Sequence, residues 1–112
     1  MIKEILTAAG VQHRQGRFPK PPAGTYAVYF DDVTSDGADR VTPSAGARLP
    51  KIYHHDASIE LYEPKPDPDT EEAIEAELDA YGLDYQKEDR YWLQDVQLYQ
   101  VLYTFSYTSK TK

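Results

Sequence analysis

Pro64-Lys65-Pro66-Asp67-Pro68 separates a run of period two from a run of period 3.6, and this junction constrains the fold more than any other feature of the chain. Before it, Lys51 to Glu63 alternates as a strand. Tyr53, His55, Ala57, Ile59 and Leu61 fall on one face, and Ile52, His54, Asp56, Ser58, Glu60 and Tyr62 on the other. The second face turns polar, as in a sheet covered on one side only. After the junction, Asp67 is placed to cap a helix whose first residue is Pro68. Asp69, Glu71 and Glu72 then sit at the positive end of the helix dipole. Ile74, Leu78 and Tyr81, spaced by four and three residues, predict the buried stripe. Ala73 flanks that stripe, Glu77 lies at its edge, Glu75 and Asp79 face water, and Gly82 stops the helix.

Two further strands are predicted over Leu83–Leu93 and Gln97–Thr108, with Gln94-Asp95-Val96 as the turn. In the last strand Tyr99, Val101, Tyr103, Phe105 and Tyr107 share a face. That face is expected to meet the helices, or to present its aromatic end to another subunit. Upstream, Ile2, Ile5, Leu6 and Ala9 share one face of a short helix ended by Gly10. Val11 to Arg17 reads as a loop or irregular extended segment. Phe18 to Gly24, with three prolines, is a stiff lead into the next strand or, through its P-x-P-P pattern, a polyproline ligand. Thr25 to Asp31 alternates as a strand, with Tyr26, Val28 and Phe30 on one face and Ala27 and Tyr29 on the other. Residues 31–50 read as a long loop or arm that orders on assembly, in which Arg40-Val41-Thr42 is a candidate short strand paired with 25–33. Ser109 to Lys112 is expected to fray. The order α-β-(β)-β-α-β-β predicts one α+β domain over 1–112. Its form is a two-layer sandwich: a mainly antiparallel, twisted sheet of four or five strands with two helices on one face.

A chain of 112 residues supports one core and not two. Its ten tyrosines fit partly buried sheet faces or a subunit interface, and equally the ordinary preference of Tyr for strands. A formal charge of −7 disfavours nonspecific nucleic-acid binding. Cysteine is absent, which removes disulfide and thiolate chemistry. No signal-type apolar run opens the chain and no stretch approaches a membrane span, so assembly in a cytoplasm is expected.

The residues offer little for catalysis. His54, His55 and Asp56 are potential metal ligands, but neighbours in a strand point to opposite faces, and zinc-type spacings are missing. Glu60 and Glu63 read as strand-end acids, Glu88 and Asp89 as members of a hydrophilic strand, and nothing marks a carboxyl with a perturbed pKa. His13 reads as a solvated loop residue. No serine lies in an elbow motif, and phosphate-binding glycine patterns are absent. No enzyme activity, metal or cofactor is expected. Lys3, Arg14, Arg17 and Lys20 give the amino-terminal part a basic bias. Arg40, Arg48 and Lys51 bracket the long loop and suit salt bridges to an acidic neighbouring subunit. The candidate interface residues are therefore Arg40, Arg48, Tyr99, Tyr103 and Tyr107.

Several segments together resemble the tail completion or tail terminator proteins of long-tailed bacteriophages and prophages. They are Ile59-Glu60-Leu61-Tyr62-Glu63-Pro64-Lys65-Pro66-Asp67-Pro68, Glu72 to Leu78, Tyr81-Gly82-Leu83 with Tyr85-Gln86-Lys87-Glu88, and the closing Tyr99 to Phe105. Pro22 to Tyr29 is similar to the first strand of the same proteins. The resemblance covers most of the chain outside 31–50 and rests on texture rather than on a functional motif. It implies an α/β sandwich without enzyme activity or cofactor, closing into a hexameric ring at the head end of the tail tube. The implied partners are further copies of the chain, the major tail tube protein and the head–tail connector proteins. Neither specific nucleic-acid recognition nor a membrane is implied, and the implied place is the virion, at the tail–head junction. An acidic lumen would suit DNA passage. A neighbouring neck or minor tail component is the alternative, and a non-viral adaptor domain the third reading.

Overall fold

Three long alternating runs form the centre of a sheet, because each supplies a continuous row of apolar side chains to one face. In the computed structural model, residues 1–35 and 52–110 are described in full and residues 41–42 and 47–48 through the backbone alone. The elements in chain order are α1 (Ile2–Ala9), β1 (Gln12–Gln15), β2 (Tyr26–Ser35), β3 (Val41–Thr42) and β4 (Ala47–Arg48). They continue with β5 (Tyr53–Glu63), α2 (Pro68–Ala80), β6 (Tyr85–Lys87), β7 (Tyr91–Leu93) and β8 (Leu98–Ser109). The main sheet runs β1-β2-β5-β8, with β6 and β7 both on the outer side of β8. It is mixed: β1 pairs parallel to β2, and the remaining pairs are antiparallel. The α+β class, the mainly antiparallel sheet and the two helices on one face are as the sequence predicts.

The core lies between helices and sheet. Ile2, Ile5 and Leu6 of α1 and Ile74 and Leu78 of α2 pack on Ala27, Ala57, Ile59, Leu61, Val101, Tyr103 and Phe105. Burying Ile74 and Leu78 stabilises by roughly 1.5–3 kcal/mol each. Both helices end in the same way. At Gly82 (φ 70°) the amide bonds Asp79 O at 2.9 Å, and the next amide, of Leu83, bonds Leu78 O at 3.1 Å. This turn sends Leu83 back against the core. Tyr81, expected in the buried stripe, is instead 46% exposed, because Leu83 fills the space beyond Leu78. The inward stripe gains Glu71 in its place.

Other boundaries differ from the sequence reading. Val11–Arg17, expected as a loop or irregular extended segment, contains β1, whose side chains are polar and whose pairing is made by the backbone. His13 is thus a strand residue, its Nδ1 2.9 Å from Val11 O. The first predicted strand runs on to Ser35, four residues past Asp31. Val41 and Thr42 pair with Arg48 and Ala47, not with 25–33, because β5 occupies that flank of β2 throughout. The remainder of the expected 31–50 arm, residues 36–40, 43–46 and 49–50, lies outside the described residues, as do residues 111–112 of the expected frayed end. Ser109, placed in that frayed end, instead closes β8 opposite Tyr53.

The predicted strand Leu83–Leu93 is two short strands divided by a bulge. Lys87 stands opposite Tyr103 and Tyr91 opposite Gln100, so three residues on one side face two on the other. The extra residue inverts the alternation. Lys87 shares the helix side with Tyr103, whereas Tyr91 and Leu93 pass to the opposite face, and Trp92 turns to Tyr99, ring centroids 4.7 Å apart.

Candidate functional site

Three arrangements of polar groups follow from this register. The first is a buried ionic cluster where the end of β5, α2 and the bulge meet. Glu63 continues the inward row of Ile59 and Leu61, and Glu71 precedes Ile74 on the buried stripe, so each acid occupies a core position. Glu63 is fully buried and Glu71 is 3% exposed. The bulge brings Arg90 to both: Nε lies 3.1 Å from Glu63 Oε1 and the guanidinium 2.5 Å from Glu71 Oε2. Lys87 bonds Glu71 at 3.0 Å and Glu75 at 2.8 Å, and the hydroxyl of Tyr103 donates to Glu75 at 2.8 Å. Burial, with the Glu71 carboxylate beside it, raises the Glu63 pKa to about 7 against the opposing pull of Arg90. Burial pushes Glu71 up as well, but Arg90 and Lys87 hold it below its ordinary value. Glu63 Oε2 has no hydrogen-bond partner among the described residues. Burial also pushes the Tyr103 hydroxyl strongly upward, so it acts as a donor only.

The second arrangement crosses the three central strands. His55 Nδ1 lies 2.9 Å from Asp31 Oδ1, His55 Nε2 lies 2.7 Å from Ser109 Oγ, and the Tyr107 hydroxyl donates to Asp31 Oδ2 at 2.9 Å. The Tyr107 ring stacks on the imidazole at 4.2 Å. The order Ser–His–Asp is that of an acyl-transfer triad. Its setting differs: Ser109 is within an antiparallel ladder opposite Tyr53, not on a sharp strand-to-helix turn that would expose its hydroxyl. The chain His55–Asp31–Tyr107 joins β5, β2 and β8 near the end of the sheet at which Ser35, Tyr53 and Ser109 lie side by side, and its chemistry is that of a tie between strands.

The third arrangement is the sheet face that no helix covers. Paired residues project to one side, so this face can be read in rows along β2. Tyr26 stands opposite Tyr62, with rings stacked at 5.2 Å. Val28 follows opposite Glu60, Phe30 opposite Ser58, and Asp32 opposite Asp56. Phe18 closes on Tyr26 edge to face at 5.4 Å, so the proline-bearing lead packs against this face. Tyr62 donates to Glu60 at 2.6 Å, and burial with this bond raises its pKa to about 12. Large apolar groups stay open to water here: Phe30 is 39% exposed, Tyr91 65% and Val96 55%. The other end of the face is acidic, with Asp32, Asp56 and Asp84 around an open concavity of about 610 Å³.

The sequence-predicted residues are dispersed. Of the interface candidates, Tyr103 is fully buried in the core. Tyr99 is half-buried against Trp92, and Tyr107 is engaged with Asp31 and His55. Arg48 lies on β4, described through its backbone, and Arg40 lies outside the described residues. Glu63, read as a strand-end acid with nothing to mark a perturbed pKa, has its pKa raised to about 7 because it is fully buried. The signal for it was an acid in phase with Ile59 and Leu61. Among the described residues no His, Cys, Asp or Glu group could hold a metal ion. No protein-family model matches the chain, and no curated protein matches it.

Proposed function

We propose that this chain is a structural protein of a long-tailed bacteriophage that caps the tail tube and takes part in joining tail to head, acting as a ring of identical copies. The observation that carries the reading is the sheet face without helices, where Phe30, Tyr91 and Val96 are exposed beside charged rows. Such a face serves contact with another protein rather than enclosure of a substrate. The resemblance of Pro22–Tyr29 and of Ile59–Phe105 to tail completion proteins supplies the biological setting, and the segments that carry it form β2, β5, α2 and β8.

Solution mass by light scattering, across concentration and with and without assembled tail tubes, tests the reading. A discrete ring, free or recruited by tubes, is expected. A chain that ignores tubes but binds head–tail connectors makes it another neck component. Binding to neither excludes both and leaves an adaptor domain.

A further inference from the structure

One flank of β2 is only half paired. β1 accompanies Tyr26–Tyr29, and the Gly16 amide closes that pairing on Tyr29 O at 3.0 Å. Gly16 (φ 84°) then turns the lead onto the helix-free face, where Phe18 packs on Tyr26. β2 itself continues to Ser35, held by β5 on its other flank throughout. Among the described residues no strand lies beside Phe30–Ser35 on the outer flank. Because Tyr29 O points outward, alternation also turns the amides and carbonyls of Asp31, Val33 and Ser35 outward, and those of Phe30, Asp32 and Thr34 toward β5. Such a row is a template for a further strand.

The side chains of the row fit an antiparallel copy of itself. Outward residues must meet outward residues, so few registers are open. With Asp31 or Asp32 on the two-fold axis, that acid meets its own copy, and like charges directly opposite repel. With Val33 on the axis, the three outward residues of both copies are all used. Asp31 then stands opposite Ser35, Asp32 opposite Thr34, and half-buried Val33 opposite Val33. Each carboxylate faces a hydroxyl, and the two copies of Asp32 are offset by about 7 Å along the strands. The next strand keeps the same order. Asp56 lies behind Asp32 and His54 behind Thr34, so the acidic row of one copy continues into the hydroxyl and imidazole of the other.

We propose that the outer flank of β2 pairs with the same flank of a second copy of the chain, antiparallel, about a two-fold axis at Val33. The two main sheets join into one through about six backbone hydrogen bonds, between Val33 and Val33 and between Asp31 and Ser35 of opposite copies. The contact is isologous, so each pairing is made twice and the assembly is complete at two copies. It is separate from tube capping, which needs surfaces that close a ring.

Sedimentation equilibrium of the full chain, with hydrogen exchange read at single amides, tests this on the natural sequence, Thr34→Asp, Thr34→Lys and Val33→Pro. Thr34 is exposed, and the outward amide of Val33 takes no part in the β5 ladder, so the fold is expected to be kept, which circular dichroism checks. The natural chain is expected to dimerise as concentration rises. The amides of Asp31, Val33 and Ser35 should gain protection with the dimer, while those of Asp32 and Thr34 are protected in the monomer as well. Thr34→Asp sets a carboxylate against Asp32 twice and is expected to weaken the dimer about tenfold, and Thr34→Lys to strengthen it several-fold. Val33→Pro removes the bonds at the axis and is expected to abolish it. A natural chain that is monomeric at high concentration, a dimer whose three outward amides exchange freely, or a dimer in which Thr34→Asp pairs as well as Thr34→Lys would each overturn the proposal. A hexamer with those amides unprotected would overturn the pairing and leave tube capping standing. A dimer with the expected protection that ignores tubes would do the reverse. Protection that appears only when tubes are added would give the edge to the tube protein instead.

Discussion

Glu63 and Glu71 share one guanidinium: Arg90 Nε lies 3.1 Å from Glu63 Oε1 and Arg90 Nη2 lies 2.5 Å from Glu71 Oε2. Arg90 touches both acids, and Lys87 adds a second cation on the Glu71 side, which makes Glu71 the ionised partner and Glu63 the protonated one. The pair therefore titrates in two separated steps.

A direction of pH dependence follows. Glu63 has its folded pKa raised from 4.5 to about 7, so its stabilising contribution is complete below 4.5 and is lost as pH rises through about 7. Glu71 has its folded pKa lowered, so its contribution is present above 4.5 and is lost in acid. Glu63→Gln keeps an acceptor for Arg90 without the charge. Relative to the natural chain it is expected to be more stable at pH 8 than at pH 5, by on the order of 1–3 kcal/mol. Glu71→Gln is expected to destabilise by about 3 kcal/mol at pH 6, since it leaves two buried-side cations under-partnered. Urea unfolding at the two pH values measures both. A Glu63→Gln difference that does not change with pH would exclude a raised pKa at Glu63.

Asp67 holds the start of α2 to the lead of β2. Its carboxylate accepts from the Thr70 amide at 3.2 Å, from the Thr70 hydroxyl at 2.8 Å and from the Thr25 hydroxyl at 2.8 Å. These bonds lower its pKa, so the cap is present above 3.8 and is lost as pH falls below it. Asp67→Ala is expected to cost about 1–2 kcal/mol at neutral pH, and Thr25→Val about 1 kcal/mol. The double variant should cost less than the sum, because both remove the same bond. Full additivity in thermal or urea unfolding would show that Thr25 and Asp67 do not interact.

The Ser109–His55–Asp31 alignment gives opposite expectations for catalysis and for stability. As a strand tie, Ser109→Ala costs about 1 kcal/mol and Tyr107→Phe about the same, since each removes one hydrogen bond and keeps the stacked ring or the ladder. Incubation of the full chain with a fluorophosphonate, read by mass spectrometry, is expected to leave Ser109 unmodified. Labelling of Ser109 that is lost in His55→Gln would instead identify an activated nucleophile.

The parts of this fold legible in the sequence are those whose side chains repeat. Ile59 and Leu61, Val101 and Phe105, and Ile74 and Leu78 announce their faces by spacing alone, and Asp67-Pro68 announces a helix start by its cap. Gln12–Gln15 announces nothing, because its pairing to Tyr26–Tyr29 uses backbone groups common to all residues. The bulge at residues 88–90 is set by the register of β8, a distant segment, so the local alternation of Leu83–Leu93 could not reveal it. The ionic cluster was hidden for the same reason: Glu63 and Glu71 are eight residues apart in sequence, but Arg90, which makes their burial tolerable, arrives only through that bulge. The helix-free face was half visible. Its alternation was plain, whereas the opposition of Asp32 to Asp56 depends on which residues the β2–β5 ladder aligns.

The bulge has a bearing on crowding as well as on packing. On the β8 side the sheet ends in two segments of three residues each, out of phase with one another, and on the other side it ends in the four residues of β1. Along β6 and β7 an incoming strand finds two short rows of amides and carbonyls out of phase, not one continuous row. Strand-by-strand addition of further copies along that flank, the route to open-ended fibres, is thereby disfavoured.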